Sequence, residues 1–135
     1  MAIAYTWRDR FTNTEANALH AATFEHRPCA DEEWDWLGLC ERHSLGWVTA
    51  RNGAALVGFV NVLWDGLVHA WISDVMTAAP SRRVGVGSRM VALARDEARA
   101  AGREWLRVDF DDDLRSFSID ACGLAPTNGG LIELT

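Results

Sequence analysis

The sequence predicts an α/β chain with a mixed, mostly antiparallel sheet and helices on both faces. Three observations carry this. Two turn signals, Asn52-Gly53 and Asp65-Gly66, join three apolar, β-branched runs into an antiparallel meander. The period then changes: Val86, Met90, Leu93, Ala94 and Ala98 recur at helical spacing, with Arg89, Asp96 and Arg99 on the opposite side. Finally, Leu67–Phe110 reads as strand, helix, strand, and such a crossover makes its two strands parallel. At 135 residues the chain is expected to form one domain over 1–135.

The elements follow in order. An N-terminal strand carries Trp7. Thr12-Asn13-Thr14-Glu15 fits a capping box, a hydroxyl three residues before a carboxyl, and starts a helix over about 13–24. A second helix is expected after Asp31 as N-cap, carrying Trp34, Leu37 and Cys40 and ending near His43; Pro28 bars an earlier start. Strands over Leu45–Arg51, Ala55–Trp64 and Leu67–Thr77 form the meander. The helix of Val86–Ala98 is closed by Gly102, a residue free to take the left-handed conformation at a helix end. Trp105–Phe110 is a strand, Leu114–Cys122 a short helix stopped by Gly123, and Leu131–Leu134 a last strand. The predicted order is β-α-α-β-β-β-α-β-α-β.

Apolar residues make up 49% and charged residues 24%, a globular composition. There are 19 acidic and 13 basic residues, for a net charge of −6. All 13 basic residues are Arg, which excludes a lysine Schiff base, a Walker lysine and a Ser–Lys dyad. The acidic balance argues against nucleic acid as a partner. Cys29, Cys40 and Cys122 form no metal-binding spacing and read as reduced thiols; no metal is expected. No window approaches the roughly 18 apolar residues of a membrane span. The N-terminus carries no signal peptide, so a cytoplasmic location without membrane association is the expectation.

The segment Ile72–Val91 carries the chemistry. A strand runs through the loop Arg82-Arg83-Val84-Gly85-Val86-Gly87 into the amphipathic helix. Amides at a helix start point outward unpaired, and the macrodipole adds about half a positive charge there. Glycines admit a close anion, so the loop reads as a pyrophosphate cradle. A Walker loop is excluded by the missing Lys. A dinucleotide fingerprint fails because Met90 stands where a third small residue belongs. What remains is R-x-x-G-x-G, from Arg82 through Gly85 to Gly87.

On this motif the chain resembles the GNAT superfamily of acyl-CoA-dependent N-acyltransferases, whose Q/R-x-x-G-x-G is matched by Arg82, Gly85 and Gly87. The resemblance extends over nearly the whole chain. It implies acetyl-CoA as co-substrate. Backbone groups of Val75, Met76 and Thr77 would pair with the pantetheine arm. The amides of Arg83, Val84, Gly85, Val86, Gly87 and Ser88 would hold the pyrophosphate. A second family signature, F-Y-x-x-x-G-F, is matched loosely by Phe117-Ser118-Ile119-Asp120-Ala121-Cys122-Gly123-Leu124, which has one residue more before its glycine. The tyrosine that often protonates the departing thiolate is replaced by Ser118, a far poorer acid.

The base is open at this level. Relatives often place Glu or His where this chain has Trp71 and Ser73, and neither is a base. His69 shares their strand face by alternation. Asp74 has the opposite parity and reads as structural unless a bulge intervenes. Asp109 lies near the end of the next strand, where ligands gather in α/β sheets. A water relay is as good a reading as any single group. The run Asp111-Asp112-Asp113 reads as a solvated loop. Of the seven tryptophans, Trp7, Trp47 and Trp105 are expected in the core. Trp34 and Trp36, two apart on a helix, cannot share a face, so one is exposed. With Trp64 and Trp71 it walls an acceptor pocket, or it marks a homodimer contact. His20, His26 and His43 read as surface residues. The activity implied is direct acetyl transfer from acetyl-CoA to a small-molecule or peptide primary amine in a ternary complex. The alternative is an acyl-CoA-binding sensor or partner module with weakened catalysis.

Overall fold

The computed structural model describes residues 2–82, 84–110 and 112–135. Five strands, β1 (Ile3–Trp7), β2 (Ser44–Asn52), β3 (Ala55–Trp64), β4 (His69–Thr77) and β5 (Trp105–Arg107), lie side by side in chain order. β1 to β4 pair antiparallel, and β4 pairs with β5 in parallel, as the crossover requires. Helices α1 (Asn13–Phe24) and α2 (Trp36–His43) cover one face; α3 (Val86–Ala100) covers the other.

The strand alternation sorts the core. Val48 and Ala50 of β2, Val60 and Val62 of β3, and Ala70 and Ile72 of β4 pack with Val86, Met90, Val91 and Ala94 of α3. Phe59 of β3 and Met76 of β4 point the other way. They pack with Phe11, with Ala16 and Leu19 of α1, and with Trp36 and Cys40 of α2.

Ile72 and Met76 have the same parity and lie on opposite faces, and the register explains why. Asn61 faces Ser73 and Phe59 faces Met76, so only Val60 stands against both Asp74 and Val75. This is a bulge, one extra residue in β4. Asp74 takes φ 58°, the left-handed region that non-glycine residues rarely enter. Beyond it the alternation is inverted: Val75 packs toward α3 and Met76 toward α1 and α2. The expected shared face of His69, Trp71, Ser73 and Val75 therefore breaks before Val75.

β4 and β5 pair only from His69 to Trp71 and from Trp105 to Arg107. Past that point β4 continues to Thr77 bonded to β3 alone, and its other edge has no strand partner among the described residues.

Local sequence signals are obeyed with instructive departures. Thr12 caps α1 by accepting the amide of Glu15 (3.1 Å), but the Glu15 carboxylate bonds Arg51 (2.8 Å) instead of closing the box. The β2–β3 loop is Gly53-Ala54, since Asn52 pairs with Ala55; only Gly53 has positive φ, at 61°. The expected type I′ turn at Asn52-Gly53 is thus displaced by one residue. The second turn is longer than two residues, with the Asp65 carboxylate accepting the amides of Leu67 and His69. Gly102 closes α3 at φ 86°.

Four expectations are corrected. α2 starts at Trp36 with Asp35 as N-cap, because Asp31 is engaged by Thr14 and Asn17 of α1. β5 ends at Arg107 where its neighbour diverges. The short helix expected over Leu114–Cys122 forms, but as a π-helix at Ser116–Ala121, with the Cys122 amide bonded to the Phe117 carbonyl (3.0 Å). Leu131–Leu134 forms no strand: Leu131 is 95% and Leu134 91% exposed, and an apolar run without a neighbouring ladder has nothing to pair with.

Among the bonds that hold the segment between α1 and α2, those of the buried Asn17 amide are central. Asn17 accepts from Trp36 Nε1 (2.8 Å) and donates to the Trp34 carbonyl (3.2 Å). Removing it leaves a buried indole N–H unpaired. Asn17→Ala is expected to lower stability by about 1–3 kcal/mol in a denaturant titration, with the fluorescence of the tryptophans altered.

Candidate active site

Two features meet where β4 diverges from β5. The first is the β4–α3 turn. Gly85, at φ 86°, is the N-cap of α3 and contributes no side chain, so none caps the first amides of the helix. Gly87 is required for a different reason. A Cβ there would lie 2.9 Å from Phe117 Cε1, so the π-helix seats its aromatic ring directly on the start of α3. Ser88 Oγ donates back to the Gly85 carbonyl (3.2 Å). Arg82 turns away from the loop: its Nε donates to the Thr77 carbonyl (3.0 Å) and its guanidinium reaches the Ala22 carbonyl of α1 (3.4 Å). The arginine thus ties the end of β4 to α1 and carries its own side chain away from the turn.

The second feature is a cavity of about 320 Å³ on the α1/α2 face, lined by Trp34, Asp35, Trp36, Leu39 and Asp74. The bulge puts Asp74 there, at the point where β4 loses its second neighbour. Asp74 Oδ2 accepts from Ser73 Oγ (2.7 Å); Oδ1 faces His20 Nε2 at 3.9 Å. Asp35 accepts from Asn13 Nδ2 and from the Gly38 amide, and these bonds, the Asn13 one foremost, hold its carboxyl below the usual range. The cavity therefore offers two carboxylates and aromatic walls, with no arginine among the described lining residues.

Trp34 and Trp36 form the walls together, their rings edge-to-face at 5.7 Å. The expectation that they cannot share a face assumed one helix. Trp34 precedes the helix and is the exposed one of the pair, at 44%, as expected, whereas Trp36 is buried at 5%; Asn17 bonds the Trp34 carbonyl and the Trp36 indole N–H. Behind them sits His20, 8% exposed and surrounded by Phe24, His26, Trp34 and Trp36. It is a buried residue of the site, not the surface residue expected. Burial, more than any charge, lowers its pKa from the usual imidazole value.

A family model for the acetyltransferase (GNAT) family matches residues 5–117. The chain belongs to the GNAT family of acetyltransferases. Solved structures share the GNAT fold. A probable acetyltransferase from meticillin-resistant Staphylococcus aureus is 19% identical, with a TM-score of 0.80 over 99% of this chain and 100% of that one. AAC(6')-Iy, solved with the bisubstrate analogue CoA-S-monomethyl-acetylneamine, is 12% identical, with a TM-score of 0.79 over 100% of this chain and 99% of that one. An aminoglycoside acetyltransferase from an uncultured soil metagenomic sample, solved with trehalose, is 16% identical, with a TM-score of 0.81 over 98% and 95%. No curated protein matches the sequence.

Within this GNAT chain the residues singled out from sequence are dispersed. Val75, Met76 and Thr77 lie on the open stretch of β4, and Val84 to Ser88 form the turn beyond it. Arg83 and Asp111 lie outside the described residues. Ser118 is 3% exposed, in the π-helix whose Phe117 covers Gly87. His69 is at the opposite end of β4 from the bulge, its Nδ1 accepting from Arg107 Nε (3.3 Å). Asp109 is exposed beyond the end of β5. Neither is brought to the aromatic cavity. Trp71 stacks on His69, and Trp64 lies under the Arg103 guanidinium (4.6 Å), so neither walls the cavity. Trp105 is 60% exposed rather than core. Sequence reasoning missed His20 and demoted Asp74; the signal for the latter was the one condition attached to it, a bulge.

Cys40 lies beneath the same face, 3% exposed, and burial pushes its thiol up to about 11. The thiolate fraction at pH 8 is correspondingly small. Iodoacetamide at pH 8 is expected to modify the half-exposed Cys29 well before Cys40, as read by peptide mass spectrometry. Equal rates would show that α2 opens from the sheet.

Proposed function

We propose that the chain is an acetyl-CoA-dependent N-acetyltransferase that transfers the acetyl group to a primary amine by direct attack in a ternary complex. One observation carries this reading. The unpaired edge of β4 ends at an uncapped helix start on one side and, through the Asp74 bulge, opens toward an acidic, aromatic cavity on the other. A thioester carrier laid along that edge would bring its acetyl group to the bulge, and an amine in the cavity would meet it there.

In this reading, backbone groups of Val75, Met76 and Thr77 pair with the pantetheine arm, as a missing strand would. The amides from Arg83 to Ser88 receive the pyrophosphate, helped by the positive end of the α3 dipole. Arg82 acts as a strut for the end of β4. The carboxylates of Asp74 and Asp35 favour a cationic acceptor, and the apolar walls of Trp34, Trp36 and Leu39 favour an apolar body behind the amine. Catalysis is chiefly positioning of the two reactants, with the acetyl oxygen held by an amide of β4 near the bulge. Ser118, beside the seated Phe117, replaces the family's tyrosine. The thiolate, a far weaker base than an alkoxide, leaves without a strong acid. His69 and Asp109 remain without a partner in the cavity. The structures of like fold solved with CoA and with aminoglycosides support a CoA substrate and an amine acceptor.

Gly85→Asp tests the turn. Aspartate tolerates left-handed backbone, so the fold survives, while a carboxylate is placed against the diphosphate. CoA binding by calorimetry is expected to fall below detection, with thermal unfolding little changed. Wild-type protein mixed with acetyl-CoA and a panel of primary amines should release free thiol. Binding of CoA without thiol release from any amine would instead favour a sensor module.

A further inference from the structure

We infer that the buried His20 takes the proton from the acceptor ammonium, and that His26 fixes the tautomer that lets it do so. The inference rests on the N-acetyltransferase reading and names the base for it. It follows from hydrogen-bond directions. His26 Nδ1 lies 2.5 Å from the Arg27 carbonyl. A carbonyl only accepts, so this nitrogen carries the proton, and in the neutral ring Nε2 is bare. His26 Nε2 lies 2.7 Å from His20 Nδ1. His20 Nδ1 must therefore be the donor, and neutral His20 is left with a bare Nε2. That lone pair faces Asp74 Oδ1 at 3.9 Å.

Two acceptors thus confront one another without a hydrogen between them. Their spacing is too long for a direct hydrogen bond. It is suited to one nitrogen donating about 2.9 Å bonds to both. An ammonium in the cavity supplies such a nitrogen, with Asp74 taking one N–H and His20 another. Of the two groups the imidazole is the one whose chemistry suits taking a proton near neutral pH.

The backbone explains how an imidazole arrives here. α1 ends at Glu25 in the left-handed region (φ 57°), and the His26 amide returns to the Ala21 carbonyl (3.1 Å). This reversal folds the His26 ring back onto His20, at 4.9 Å between centroids. Phe24, Trp34 and Trp36 enclose His20. The titratable groups facing it are Asp74 from β4 and His26 from the loop after α1; burial, the largest influence, lowers its affinity for a proton, while Asp74 acts the other way.

The proton bookkeeping closes. The ammonium gives one proton to His20 Nε2, producing an imidazolium that faces the Asp74 carboxylate and shares its Nδ1 proton with His26. The freed amine lone pair forms the C–N bond. The C–S bond breaks with its electron pair on sulfur, and the second N–H proton ends on the thiolate. His20 returns its proton to water when the product leaves the cavity.

Long-range ¹H–¹⁵N spectra of the imidazoles test the tautomer without any turnover. His20 is expected protonated at Nδ1 and bare at Nε2 at pH 7.5; the opposite tautomer overturns the inference. Kinetics supply the second arm. In the wild type, log kcat/KM for acetyl transfer should fall with slope one as pH drops through the His20 titration. His20→Gln should lose that limb and about 10²-fold or more of kcat/KM, with CoA affinity unchanged. His26→Phe keeps ring packing and should move the limb while preserving the fold. An active His20→Gln variant with the wild-type pH profile overturns the role of His20 alone. A wild type that binds no acetyl-CoA overturns the transferase reading beneath it.

Discussion

The bulge at Asp74 and Val75 is the constraint on which the site depends. A regular β4 would keep Asp74 under α3 with Ala70 and Ile72, where an unpaired carboxylate would be costly. One extra residue turns Asp74 to the α1/α2 face and sends Met76 after it into the second core cluster. The φ of 58° at Asp74 is tolerated because the flanking residues are bonded to β3 on both sides. The strain is held by the sheet and appears where the chemistry is needed.

Beyond the β5 pairing, the far half of β4 has β3 on one edge and no strand on the other among the described residues. In a closed sheet, β5 would follow β4 to its end and occupy every amide and carbonyl on that edge. Here the parallel pairing stops at Trp71 and Arg107. Backbone polar groups seek partners strongly, so an open stretch of strand inside a domain is a receptor for an extended, amide-bearing chain. The uncapped start of α3 continues that receptor into one for an anion. Two ordinary backbone deficits, placed end to end, fit the shape of an amide arm joined to a diphosphate.

The aromatic cavity is built by a different kind of contact. Asn17 and Asp31 hold the segment before α2 so that Trp34 and Trp36 meet, although neither residue carries any chemistry of transfer. These bonds bridge 14 to 19 residues of sequence and set the walls around His20. In the proposed reading the acceptor side is made by side chains of a loop and a helix, while the carrier side is made by backbone. No helix among the described residues is long and apolar enough to cross a membrane.

The sequence by itself determined the antiparallel meander of β2 to β4, the parallel last pair, α1 and α3 almost to the residue, and the glycine turn between β4 and α3. Those features are local: periodicity, a capping hydroxyl, glycine φ, and the handedness of a crossover. It also carried the motif Arg82 to Gly87 by which the family resemblance was legible. Only the tertiary structure decided which faces Asp74, Trp34 and His20 occupy. A bulge shifts parity by one residue and leaves no mark in composition. Trp34 reaches its partner through a hydrogen bond to a distant asparagine, and His20 is buried only because a left-handed residue folds His26 back upon it. The unformed strand at Leu131–Leu134 makes the converse point, since alternation and apolarity are properties of a segment whereas a strand requires a neighbour.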